Sequence, residues 1–324
     1  MKKFISFVLI LCLSLALFAG CGSSTQTTES TPENTAPTHS PWDTGKEALQ
    51  GKKIIFLGNS YTFWGQTVIH KGYDVLTQDK RSNDQGYFYQ LCKANGIDVS
   101  VTNFTFGSHD ATDIIGYGPC NANRDCQEEQ HQYYLQNAYY DYVAIQLYNE
   151  REYKGDLVAH LQPIVDFFQK ANPDVKFLLL VPHMAIEKEY RWIDKIDSLK
   201  AENYKICNWG SLCHDLSQHT IDVPGATQTY SRSSFVNSKD NHHENILAGY
   251  ITTLMVYCAI TGESAVGQPY DFCDDSSINK LFDLEAFREK NYSEGAGGSN
   301  FVEIMRSEAD MAGIQQLVDE YLAK

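Results

Sequence analysis

The stretch NPDVKFLLLVPH, residues 172–183, restricts the fold more than any other part of the chain. Asn172-Pro173 stops a helix, and residues 175–181 follow as a continuous apolar run. Such a run reads as a strand buried on both faces. Residues 53–57, 99–104 and 142–147 repeat the pattern, and 204–208 is a weaker fifth. Helical spacing fills the intervals at 86–94, 127–138, 157–170 and 189–201, and returns at 247–260 and 301–322. Strands alternating with helices predict an α/β fold, with a central parallel sheet covered by helices on both faces. Ligands of such sheets bind beyond the carboxyl ends of the strands.

The N-terminus belongs to a different regime. MKKFISFVLILCLSLALFAG places two lysines before an apolar run and ends in small residues, the layout of a secretory signal over residues 1–20. Phe18-Ala19-Gly20-Cys21 resembles a bacterial lipobox, which implies lipidation of Cys21 and an extracytoplasmic, membrane-anchored protein. Phe18 stands where that motif usually has Leu, and a plain signal peptide is the alternative. Residues 21–48 are rich in Ser, Thr and Pro and read as a flexible tether. Residues 49–324 are then one domain, with 273–324 as a C-terminal helical extension packed on the core.

The formal charge of −15 makes nucleic acid and anionic lipid poor partners and mildly favours neutral substrates. Membrane contact is expected through the N-terminal lipid alone. Seven cysteines remain besides Cys12 and Cys21. In an exported protein Cys120/Cys126 and Cys207/Cys213 are the pairs closest in sequence for disulfides. No CxxC occurs and zinc-type ligand clustering is missing, so no metal is expected.

Gly58-Asn59-Ser60 follows the first strand, at the rim where ligands bind. Ser60 is therefore a candidate nucleophile, although Thr62 stands where a Gly-x-Ser-x-Gly elbow would end in Gly. A second element, KDNHHENILAGY, puts Asp240 three residues before His243, just ahead of a helix. One loop can thus present an imidazole together with the carboxylate that orients it. A solvated loop, with Asp240 capping a turn, is the plainer alternative. A metal held by Asp240, His242 and His243, with His214 as a distant partner, ranks behind both.

Together these blocks resemble the SGNH (GDSL-like) hydrolase superfamily over residues 53–262. The resemblance implies a three-layer, flavodoxin-like α/β/α sandwich and a serine esterase that needs no cofactor. It assigns Ser60 as nucleophile, His243 rather than the adjacent His242 as base, and Asp240 as its orienter. Oxyanion donors would be the Ser60 and Gly107 N–H groups plus a side-chain amide. For the amide, YNE offers Asn149 at a spacing one residue short of the family pattern, and Gln146 is the substitute. Gly107 reads equally well as a strand-exit turn. The implied substrate is an O-acylated carbohydrate or other ester, with removal of acetyl or short acyl groups at the cell surface. The competing function is a catalytically inactive glycan-binding lipoprotein of the same fold. His183 reads as a satisfied structural histidine, and Trp64 as core or a sugar-stacking residue.

Overall fold

The computed structural model describes residues 41–65, 67–68, 84, 86–105, 110–115, 139–147, 155–236, 241–274 and 307–324. The chain divides into two compact units, Met1–Thr38 and His39–Lys324, and every described residue belongs to the second. The expected helix at 127–138, the pair Cys120/Cys126 and the lipidation candidate Cys21 lie outside the described residues.

Five strands form one all-parallel sheet: β1 (Lys52–Gly58), β2 (Val99–Thr105), β3 (Tyr142–Gln146), β4 (Lys176–Leu180) and β5 (Lys205–Cys207). Their order is β2-β1-β3-β4-β5. All five apolar runs are strands, including the weak fifth. The fold is α/β, as the alternation predicts, and the chain reverses its direction of travel across the sheet between β1 and β3. That switch point is where parallel α/β sheets open a crevice for a ligand.

β1, β3 and β4 are apolar without alternation because each face of the sheet has its own core, whereas edge strand β2 alternates at its start, with Val99 and Val101 buried and Ser100 exposed. Ile54, Phe56, Tyr142, Ala144, Leu178 and Leu180 face one hydrophobic cluster, while Ile55, Leu57, Val143, Ile145, Phe177 and Leu179 face another. The first face packs against α2 (Gly86–Ala94), α7 (Trp209–Ser217), α8 (Ile246–Thr261) and α9 (Glu308–Leu322). The second packs against α4 (Leu157–Gln169) and α6 (Ile196–Ala201). Every residue of α8 except Ala259 is buried, as befits a helix that is apolar all round. Among the described residues there are also three short helices: α1 (Ser60–Phe63), α3 (Ala111–Ile114) and α5 (His183–Glu187).

Four expectations change. The helix over 189–201 is interrupted: Glu189 takes φ 49°, and regular helix begins only at Ile196 after a 3-10 turn at Ile193–Lys195. The short helices α5 and α7 carry no strong periodic signal in the sequence. The folded unit starts earlier than residue 49. Trp42 stacks on Tyr142 at 5.8 Å and donates its indole N–H to the Asn203 carbonyl. Lys176 and Lys205 lie over its ring, and Lys176 also donates to the Pro41 carbonyl. Finally, Cys207 and Cys213 are both free and wholly buried, one at the end of β5 and the other inside α7. They serve as small apolar core groups, and burial pushes both thiols up.

Candidate active site

β1 ends in Gly58 for a steric reason. A Cβ there would lie 2.6 Å from the Cβ of Gln146 on β3 and 2.7 Å from Thr62 Oγ1. The chain can therefore turn tightly between the two strand ends only without a side chain at this point. Asn59 is extended and caps α1, its side-chain oxygen accepting from the Tyr61 N–H at 3.1 Å. Ser60 is the first residue of that helix, 7% exposed, at the carboxyl end of β1 beside the switch point. Its carbonyl accepts from the Trp64 N–H at 3.0 Å, so Trp64 stands one turn further on.

The histidine loop is fixed at both ends. Asn245 caps α8, accepting from the N–H groups of Leu247 and Ala248, and its amide donates to the Ser234 carbonyl at 2.6 Å. At the other end Asn241 adopts φ 55° and is held by Arg232, which donates to its side-chain oxygen and its carbonyl. Arg232 in turn grips Glu187 with two charge-assisted hydrogen bonds of 2.6 and 2.8 Å. The bond to Arg232 holds the Glu187 carboxyl below its ordinary range, against burial, which acts the other way. A chain of contacts thus runs from the carboxyl end of β4 to the loop that carries His242 and His243.

That loop meets α1. The His243 ring lies flat on the Trp64 indole, with centroids 4.2 Å apart and planes 9° from parallel. His242 takes the neighbouring position, its Nε2 hydrogen-bonded to the Tyr61 hydroxyl at 2.9 Å and its ring edge-on to His243 at 4.8 Å. Beneath them Glu244 forms an antiparallel bridge with Val236. The structure therefore brings together Ser60's helix and the histidine loop, which are separated by about 180 residues of sequence. No hydrogen bond joins Ser60 to His243 among the described residues.

The other candidates divide. Asp240, Gly107 and Asn149 lie outside the described residues. Gln146 is wholly buried, its amide donates to the Leu147 carbonyl at 2.9 Å, and its Oε1 has no hydrogen-bond partner. A side chain so enclosed offers no donor to a substrate oxygen. His214, weighed as a distant metal ligand, instead stands beside His183, ring centroids 5.7 Å apart. No group of three His, Cys, Asp or Glu residues able to hold a metal occurs among the described residues.

His183 is not the satisfied histidine that its sequence context suggests. It is 3% exposed, neither ring nitrogen has a hydrogen bond, and Glu187 lies 3.8 Å away. Burial pushes its pKa down to about 4; Glu187 acts against this, while Arg232 and His214 add to it. At neutral pH the ring is uncharged. Tyr61, Arg232 and Glu187 are residues that sequence reasoning passed over, and Trp64, read as core or sugar-stacking, stacks on His243 instead. Only Trp64 left a signal, since four residues after Ser60 is the same side of a helix.

The chain matches no family model, no curated protein and no solved structure.

Proposed function

We propose that this protein is a serine ester hydrolase of the SGNH type, with Ser60 as nucleophile and His243 as general base. The observation that carries the reading is the Trp64–His243 stack. It sets an imidazole against the side chain one turn beyond Ser60, at the switch point of a parallel sheet. A hydroxyl becomes a competent nucleophile when a neighbouring base takes its proton. In unliganded enzymes the nucleophile–base hydrogen bond is often long and tightens when substrate binds.

In the proposed reaction His243 removes the Ser60 proton as Oγ attacks the ester carbonyl. The tetrahedral intermediate collapses as His243 returns the proton to the departing alcohol. Water, deprotonated by the same imidazole, then attacks the acyl-enzyme and releases the acid and free Ser60. Asp240 would orient the base. The oxyanion would be held by the N–H groups of Ser60 and Gly107 and, given the burial of Gln146, by Asn149. No step calls for a cofactor. The substrate class is a neutral O-acylated carbohydrate bearing acetyl or another short acyl group. Neutrality accords with the acidic chain, and location at the cell surface with lipidation of Cys21.

A second reading is a glycan-binding lipoprotein of the same fold that no longer turns over. The enclosed Gln146 amide favours it. Hydrolysis of p-nitrophenyl acetate and longer acyl esters separates the two. On the esterase reading, Ser60→Ala and His243→Ala each lower kcat by roughly 10³- to 10⁶-fold, and a fluorophosphonate labels Ser60. Activity equal in both variants and the parent, with no labelling, sinks it.

A further inference from the structure

We infer that Trp64 is a positioning residue for the base, and that its stack on His243 sets the pH range over which the site is active. This rests on the esterase reading. The His243 ring lies face to face with the indole at 4.2 Å and 9°, whereas Tyr61 reaches the same ring only at 5.9 Å and 47°. The face of an aromatic ring is its negative pole, and indole is the strongest of the three natural examples. Imidazolium in this position is attracted to the indole; neutral imidazole is attracted far less. The stack therefore favours the form that His243 takes while it holds the Ser60 proton. It also fixes the plane of the ring, so His243 turns towards or away from Ser60 only by sliding over the indole.

Other charged or titratable groups stand near His243 on the elements around it. His242 stands 4.8 Å away, edge-on, with its Nε2 engaged by Tyr61. Glu244 is the next residue in the chain and is buried. Arg232 reaches the loop through Asn241. Asp240 lies outside the described residues. Trp64→Leu and Trp64→Phe leave all of these groups in the chain, and only Phe keeps an aromatic face, so the comparison of the two variants reads the contribution of the ring.

The experiment compares the pH dependence of kcat/KM for the full protein with those of Trp64→Leu and Trp64→Phe. Loss of the aromatic face in Trp64→Leu moves the acidic limb to lower pH by about 0.4 to 1.5 units, the range of a cation over an aromatic ring. Trp64→Phe falls between that variant and the parent, and kcat drops more than KM changes. An acidic limb that stays in place in Trp64→Leu while the parent is active overturns the inference and leaves the esterase reading standing. Tryptophan emission gives a readout that needs no turnover. Protonated imidazole quenches a stacked indole, so the parent loses emission as pH falls. That step is absent in His243→Asn and retained in His242→Asn. Such a step in a protein without esterase activity supports the stack while the esterase reading fails. A parent with no quenching step overturns the stack itself.

Discussion

Gly249 on α8 and Gly65, just beyond α1, are in direct backbone contact: a Cβ on Gly249 would overlap the Gly65 carbonyl oxygen. Thr67 donates its hydroxyl to the Gly249 carbonyl at 3.1 Å and closes the same junction. This contact seats the short helix that begins at Ser60 on the helix that follows the histidine loop. The packing of two glycines thus determines how near Ser60 can come to His243.

Gly249→Ala should therefore destabilise the protein severely. The obstacle is backbone rather than a flexible side chain, so the cost should reach about 3 kcal/mol, the upper end of ordinary overpacking, or more. Gly155→Ala is the control, because a Cβ there meets nothing within 4 Å; it should change stability by less than about 0.5 kcal/mol. Urea midpoints of the two variants against the parent test the difference. Equal midpoints would mean that the junction is loose.

Arg232 joins Glu187 to Asn241, so its removal should affect the histidine loop more than the fold. Arg232→Lys keeps the charge but cannot span both partners with one planar fork. The pair is about one-quarter exposed, with side chains at 27% and 29%, so the stability loss should be about 1 kcal/mol. On the esterase reading, kcat should fall by about 10- to 100-fold as the loop drifts. Parallel kinetics and thermal melts check the split; a fall in stability with unchanged kcat would show that the loop holds its position without Arg232.

Four of the thiols are expected to be unreactive. Cys92, Cys207, Cys213 and Cys258 are all buried and free, and burial pushes each thiol up. Alkylation of the native protein should spare all four, and alkylation in denaturant without reductant should label them all. A mass consistent with a Cys207–Cys213 bridge in the unreduced protein would contradict the structure.

The sheet was legible because burial on both faces leaves unbroken apolar runs, and residues 53–57 and 175–181 need no knowledge of their neighbours to be read. The pairing of Ser60 with the loop at 241–243 was legible only as two separate motifs. Their meeting depends on Gly65 and Gly249, and neither glycine differs in sequence from one in a turn. Arg232 had no local signal at all, because its partners Glu187 and Asn241 are distant in sequence and its role exists only in three dimensions. Trp42 could have been found. It is the one large aromatic residue in a polar segment, and it binds the chain to the starts of β3, β4 and β5. Cys207 and Cys213 misled because proximity in sequence says nothing of which thiol is drawn into a core.

His183 should make the protein acid-sensitive at a mild pH. In the unfolded chain it takes up a proton near its ordinary value of 6.5; in the folded protein burial delays this to about 4. Between those values the unfolded state binds more protons, so stability rises with pH across this window and is lost as pH falls through it. The stabilising contribution is complete above about 6.5 and gone below about 4. The gap corresponds to about 3 kcal/mol. Glu187, bonded to Arg232 and 3.8 Å from the ring, offsets only part of the burial effect. Urea unfolding at intervals from pH 7.5 to pH 4.5 should show the decline in the parent. His183→Gln, uncharged throughout, should flatten it, though at a lower stability at neutral pH. Parallel declines in both proteins would assign the acid sensitivity to other groups.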